Sequence, residues 1–426
     1  MRFNFVTKIS DTESIKIPDE IKEKLKENDE VEILIQPVKD VYQIEGIPYG
    51  HQSVDSLDIQ SVIDVLESDL ITQGPKTVEF EKRLCEYTGA KYAIVCSNGT
   101  AALHLAVKAL DLAPGFEGIT TPNTFVASSN CMIYNNGKPV FADIQEDSHN
   151  IDPDKIKKKI TDKTKLIIPV DFAGHPCDME EIQKIAKEND LFVIRDACHS
   201  IGSHYKGEKT GNCKYSDMTI FSFHPVKHMT TGEGGAILTN NKAFYERLKL
   251  LRTHGITRDP DLMAKNDGPW YYEMVDLGYN YRITDFQSAL GISQLGKLDQ
   301  FVKKRLQIVK QYNEAFKDLE FIKSPKEREY TDPSYHLYVV DIDFKKINMS
   351  RADLIRKLEK EKQIGVQVHY IPVHLQPYYR KNFGYKEGDY PVCEEYYRSA
   401  LSLPLYPKMS MENIERVIQA VQELKK

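Results

Sequence analysis

The sequence predicts an α/β protein with a mostly parallel central sheet covered by helices on both faces. Three observations carry that expectation. From Pro48 onward, short apolar strands alternate with helical stretches, the pattern of a sheet buried on both sides. An acid, Asp196, stands directly after one of those strands, where open sheets of this kind hold ligands. Finally, a chain of 426 residues with 41% hydrophobic and 28% charged side chains can bury a large core in two or three domains.

Taken in order, residues 1–45 stand apart. Two short strand-like runs, a charged helical stretch opening after Pro18, and the strand-like VEILIQP follow one another there. Beyond them, strands are expected at Ala93–Cys96, Val140–Ala142, Leu166–Val170, Leu191–Arg195, Met218–Phe221 and Ala236–Leu238. Helices are expected at Ile59–Ser68, Val78–Tyr87, Thr100–Leu110, Thr124–Tyr134, Pro153–Lys159 and Met179–Glu188. A long helical region then runs from about Thr284 to Leu319. Near Phe321 the pattern shifts to YHLYVVDIDF, a helix at Arg351–Glu361 and a last helix from Met411. The expected division is an extension at 1–45, a large domain at 46–320 and a smaller α/β domain at 321–426.

The totals exclude several classes of function. A net charge of −6 gives no reason to expect nucleic acid or an acidic membrane as partner. No apolar run reaches the roughly 18 residues of a membrane span, and the N-terminus lacks a signal-peptide core, so a cytoplasmic protein is expected. Seven widely spaced cysteines without a C-x-x-C pair read as reduced thiols rather than as a disulfide frame or zinc site.

One stretch concentrates the chemistry. FSFHPVKHMTTGEGG, Phe221–Gly235, carries Lys227 with no carboxylate within five residues and apolar neighbours on both sides. Desolvation there lowers an ammonium pKa and frees the lone pair for attack on a carbonyl. Gly232, Gly234 and Gly235 allow a tight turn or close approach of the backbone to a ligand. SNGTAAL, Ser97–Leu103, opens a helix after a strand; its amides offer an anion seat, although a simple Ser/Asn cap explains the same letters. Phe125, just inside another helix start, reads as core or as a ring stacked on a planar ligand.

These strings resemble the Schiff-base lysine loop and cofactor seat of the DegT/DnrJ/EryC1/StrS sugar aminotransferases, and the likeness extends over about residues 48–426. The resemblance implies fold type I and the cofactor pyridoxal 5'-phosphate (PLP). It implies that Lys227 is catalytic, that Thr100, Ala101 and Ser222 meet the cofactor phosphate, and that Phe125 stacks on its ring. Asp196 would hold the pyridine nitrogen protonated, and His199 would lie beside the ring oxygen. LGYNYRITDFQSALG, Leu277–Gly291, resembles a second signature of the family. By it Asn280 reaches the partner subunit's cofactor, so a homodimer with shared sites is implied. Asp285 reads as an N-terminal helix acid favoured by the dipole.

On the substrate side, LITQGPKTVEFE matches the family's loop at the mouth of the site, with Thr72, Gln73 and Gly74 as contacts. Arg282 is a substrate contact or half of a salt bridge. VQVHYIPVH places His369, Tyr370 and His374 where the family meets the sugar; with no acid nearby in sequence, the two histidines make a poor metal site. A related branch with His in place of the lysine dehydrates, so Lys227 points to transamination. The strings FHPVKHMTTGEGG, VQVHYIPVH and LITQGPKTVEFE resemble the pseudaminic-acid branch. The implied substrate is a UDP-linked 4-keto-6-deoxy-N-acetyl-altrosamine type sugar, with L-glutamate as amino donor; the legionaminic acid, bacillosamine and perosamine branches share nearly the same motifs. Residues 1–45 resemble the AbrB/SpoVT swapped-hairpin module. That leaves a second reading, a regulator with a DNA-binding head, but seven Lys/Arg against eleven Asp/Glu is the wrong sign for tracking phosphates. An appended dimerisation or packing element is the expectation for this segment.

Overall fold

The computed structural model describes residues 46–425, so the AbrB-like reading of residues 1–45 lies outside the described residues. Helix α1 (Ser56–Leu66) opens on a capping box in which Asp55 and Asp58 satisfy each other's amides. Helix α2 (Pro75–Thr88) starts with proline in its first turn and stops at Gly89 in the left-handed conformation. There follow β1 (Tyr92–Cys96), α3 (Gly99–Ala109), β2 (Glu117–Thr120), α4 (Ala127–Tyr134), β3 (Lys138–Phe141), the short α5 (Pro153–Lys157), β4 (Thr164–Ile168), α6 (Met179–Glu188), β5 (Phe192–Asp196), β6 (Met218–Ser222), β7 (Gly235–Thr239) and α7 (Lys242–Arg252).

The seven strands form one sheet in the order β1-β7-β6-β5-β4-β2-β3. The pairs from β3 through β6 are parallel, and β7 alone runs antiparallel, between β1 and β6. Strands β2, β6 and β7 are buried along nearly their whole length, as expected where helices cover both faces. Strand limits shift by at most two residues from the sequence expectation. One shift matters: Asp196 is the last residue of β5 rather than the first beyond it.

The long helical region is two helices, α8 (Asp285–Leu295) and α9 (Leu298–Phe316), broken at Gly296–Lys297. Asp285 stands in the first turn of α8, as the sequence reading has it, and serves a second helix as well. Thr284 caps α8, while the Asp285 carboxylate accepts the amides of Gly74 and Lys76 at 2.7 and 2.8 Å, closing the N-terminus of α2. Its charge therefore meets the dipole of α2, across 211 residues of chain, as well as that of α8.

The second half of α9 packs Ile308, Val309, Tyr312 and Phe316 into an apolar cluster with β8 (Ile322–Lys323), β9 (Tyr338–Ile342), α10 (Arg351–Glu361) and the C-terminal elements. Helix α11 (Pro377–Phe383), helix α12 (Pro391–Ser399), β10 (Ala400–Leu403) and helix α13 (Met411–Gln422) complete this part, with β10 paired to β9. Each large side chain so buried contributes about 1.5–3 kcal/mol before entropy is counted. Among the described residues, no helix is long and apolar enough to cross a membrane, and no cluster of His, Cys, Asp or Glu could hold a metal ion.

Candidate active site

The lysine loop leaves β6 and returns to β7 through a self-bonded turn. Phe223 N–H donates to Gly234 O at 2.8 Å, Thr231 N–H to Phe223 O at 3.0 Å, and Lys227 N–H to His224 O at 2.9 Å. Gly234 is required: a Cβ there would lie 2.2 Å from Thr231 Oγ1. The loop holds Lys227 only partly exposed, in dense surroundings. Burial pushes its ammonium pKa down, and the Cys198 thiol and the Asp196 carboxylate oppose that shift only in part. Burial thus shifts the group toward the free amine, against the pull of the Asp196 carboxylate.

Asp196 is held from two sides. Its carboxylate accepts the Ser128 hydroxyl at 2.6 Å and the Cys198 amide at 3.2 Å, and it is 4% exposed. Ser128 is fixed in turn by Thr124 at 2.8 Å. Nothing in the local sequence marked Ser128; its role appears only when α4 is laid across the end of β5.

The seat at the start of α3 combines both readings of its letters. Asn98 caps the helix, and its Oδ1 takes the Ala101 N–H at 2.8 Å, so that amide already has a partner. Among the described residues, the amide of Thr100 makes no hydrogen bond. Gly99 lets the turn press on its neighbours: a Cβ there would lie 2.9 Å from Ser222 Cβ and 3.5 Å from Cys198 Sγ. Ser222, Gly99 and Cys198 therefore converge at the ends of β6, β1 and β5.

His199 accepts the Ala173 N–H at Nδ1 (3.3 Å) and meets the Tyr370 hydroxyl at Nε2 (3.2 Å). Burial, with the nearby Lys227 second, holds its pKa well below the usual imidazole range. Tyr370 in turn contacts the exposed ring of Phe125 at 6.4 Å between centroids. His369 is bound to Ser402 Oγ at 2.7 Å, and burial lowers its pKa to about 3. Two further buried imidazoles, His228 and His336, complete a neutral basic wall around Lys227; burial depresses both, and Lys227 adds to each. His336 was not legible in sequence, because it arrives from a segment more than a hundred residues away.

His374 corrects the sequence reading. It has no accessible surface, and its Nε2 meets Glu394 Oε1 at 3.0 Å, an acid twenty residues downstream, so the fold uses it internally and does not offer it to a ligand. Thr72 and Gln73 lie exposed on the loop that Asp285 anchors through Gly74. Asn280 is exposed on a loop beside the α3 seat, where Ser97 N–H donates to Tyr281 O at 2.8 Å. Arg282 has no hydrogen-bond or ion-pair partner among the described residues. The chain thus brings together Lys227, Asp196, His199, Tyr370 and Ser222, and leaves Thr72, Gln73 and Asn280 exposed and Arg282 half-buried.

These residues fit a pyridoxal phosphate. The amine is biased toward its neutral form, a buried carboxylate sits at hand for a ring nitrogen, and a glycine-opened helix start suits a phosphate.

Comparison with known proteins gives the family. The chain is 45% identical over 378 residues to protein MJ1066 of Methanocaldococcus jannaschii, covering 89% of this chain and 97% of that one. It is 38% identical to the UDP-4-amino-4,6-dideoxy-N-acetyl-beta-L-altrosamine transaminase of Campylobacter jejuni, covering 87% of this chain and 95% of that one. Among solved structures it is similar to Helicobacter pylori PseC, an aminotransferase of pseudoaminic acid biosynthesis (TM-score 0.82, 32% identity, 89% and 99% covered). The protein Spr1654 of Streptococcus pneumoniae, solved in its PLP form, is equally similar (TM-score 0.82, 32% identity, 89% and 98% covered). The model of the DegT/DnrJ/EryC1/StrS aminotransferase family matches residues 52–422, and with that span and this site the chain belongs to the family.

Proposed function

We propose that the protein is a PLP-dependent transaminase that moves an amino group from L-glutamate to the 4-keto group of a UDP-linked 4-keto-6-deoxy-N-acetyl-altrosamine type sugar. The observation that carries the reading is Lys227, an amine whose charge burial disfavours, held beside the buried Asp196. When bound, PLP supplies an electron sink that acidifies the carbon bearing the transferred nitrogen. Lys227 Nζ would take the proton from the carbon that carries nitrogen in the donor and give one to the sugar carbon that receives the nitrogen. Asp196 supplies the negative charge that keeps a ring nitrogen protonated, and the Ser128 hydroxyl and Cys198 amide orient it. Phe125 and Tyr370 form an aromatic wall for the flat ligand, and the neutral imidazoles avoid competing for the acid.

The sugar assignment is supported by the printed activity of the Campylobacter jejuni relative. The active form is a homodimer in this reading. Leu57, Ile59, Leu70, Ile71 and Val78 on one side, and Trp270, Met274 and Leu277 on another, are exposed apolar side chains of the kind a second subunit covers.

Purified protein supplied with PLP and L-glutamate is expected to release 2-oxoglutarate with a UDP-linked 4-keto sugar, from a panel that also holds dTDP- and GDP-linked ketosugars. Lys227→Ala is expected to lose about 10⁴-fold of that rate together with the visible band, near about 400 nm, of bound PLP. Turnover surviving in the variant, or none with any ketosugar in the wild type, would sink the reading.

A further inference from the structure

Arg195, the basic residue beside Asp196, reads as an oddity in the sequence, and its partner lies on the neighbouring chain segment. Arg195 Nε donates to Asp171 Oδ2 at 2.8 Å; the pair is 4% and 0% exposed. Ser200 Oγ donates to the same oxygen at 2.5 Å, and Cys177 N–H to Asp171 Oδ1 at 2.9 Å, so the carboxylate is saturated. The backbone of Asp171 is tied to the site as well, its N–H donating to Asp196 O at 3.0 Å.

Directly after Asp171 the chain makes a strained turn. Ala173 sits at φ 56°, ψ 8°, a left-handed conformation costing an alanine on the order of 1 kcal/mol. The turn is held open by Asn150, whose Oδ1 takes the Phe172 N–H at 2.8 Å, and by Gly174, where a Cβ would clash with Tyr335 N at 2.7 Å and His199 O at 2.9 Å. What the strained geometry delivers is the Ala173 N–H, aimed at His199 Nδ1. A nitrogen that accepts from a backbone amide carries no proton, so the single proton of the neutral ring is on Nε2. Nε2–H then donates to the Tyr370 oxygen 3.2 Å away, and the phenol's own hydrogen is left without a protein acceptor among the described residues.

We propose that Asp171, clamped by Arg195, is a positioning residue that sets the His199 tautomer through the Ala173 amide and so leaves the Tyr370 hydroxyl as a hydrogen-bond donor to the ligand over Lys227. The inference rests on the transaminase reading for its use, but the tautomer itself is a property of the chain without cofactor or sugar. Its failure is therefore separate from failure of the Lys227 assignment.

The test is histidine tautomer assignment by ¹⁵N NMR on cofactor-free protein labelled at histidine, near pH 7.5. Wild type is expected to show His199 protonated on Nε2 alone. Asp171→Asn is expected to give a mixture of tautomers at His199, and kcat about 10-fold or more lower with KM for the sugar near wild type. Should Asp171→Asn not fold, Arg195→Lys keeps a cation in place while losing the planar fork, and is expected to shift the same resonances in part. A wild-type His199 protonated on Nδ1, or resonances unchanged in whichever of these variants folds, overturns the proposal.

Discussion

The interior wall of the site and its mouth differ in how the chain handles its charged and titratable groups. Around Lys227, the Asp196 carboxylate and the Asp171–Arg195 pair have protein partners, and five imidazoles there and nearby are kept neutral by burial. At the mouth, Asn280, Thr72, Gln73 and Phe125 are exposed, and Arg282 has no partner among the described residues. The difference separates what one chain can finish, the placement of a reactive amine, from what a ligand or a second subunit must complete.

Acid breaks the comparison most strongly, because it attacks the interior and spares the mouth. His199, His228 and His336 stay neutral in the fold well below the ordinary value of 6.5, His175 down to about 4 and His369 to about 3. The unfolded chain binds protons there that the folded chain refuses, so stability is full above pH 6.5 and falls as pH drops through that value. Each such histidine adds about 1.4 kcal/mol of loss per pH unit between its two pKa values. Urea melts at pH 7.5, 6.5 and 5.5 should show a steep decline, and a flat profile would mean that the wall is open to protons.

A smaller effect separates His374 from the substrate side. Glu394→Ala should cost about 1–3 kcal/mol, because it strands His374 Nε2 and the amides of Gly388 and Tyr390, and should leave KM for the sugar near wild type. A raised KM at unchanged stability would return His374 to the ligand. The mildest change sharpens the other half: Arg282→Ala should shift folding stability by less than about 0.5 kcal/mol, yet raise KM about tenfold through a lost charged contact. Chemical melts and initial rates on one preparation check both numbers.

Much of the architecture was legible because alternation and turn chemistry are local. Lys227 stood out by what its neighbours lack, and Asp196 by its place at a strand end. What escaped were pairings made across the chain. The antiparallel insertion of β7 leaves no mark in a strand buried on both faces. His374 looked unpaired because Glu394 enters from another helix, and Asp285 showed only its first-turn place in α8 because the amides it also holds precede it by about two hundred positions. Arg195 had no visible use until β4 and β5 came side by side. Charges seated in this way depend on the completed fold, and a scan of neighbouring letters does not reach them.

The carboxylate of Asp285 has a practical consequence for redesign. Any attempt to re-target the protein by transplanting the 70–77 segment from a cousin must keep Asp285 on the recipient helix. Without it the graft would arrive with two well-bonded amides stripped of their acceptor, and the hinge between graft and scaffold would fray before specificity could be read.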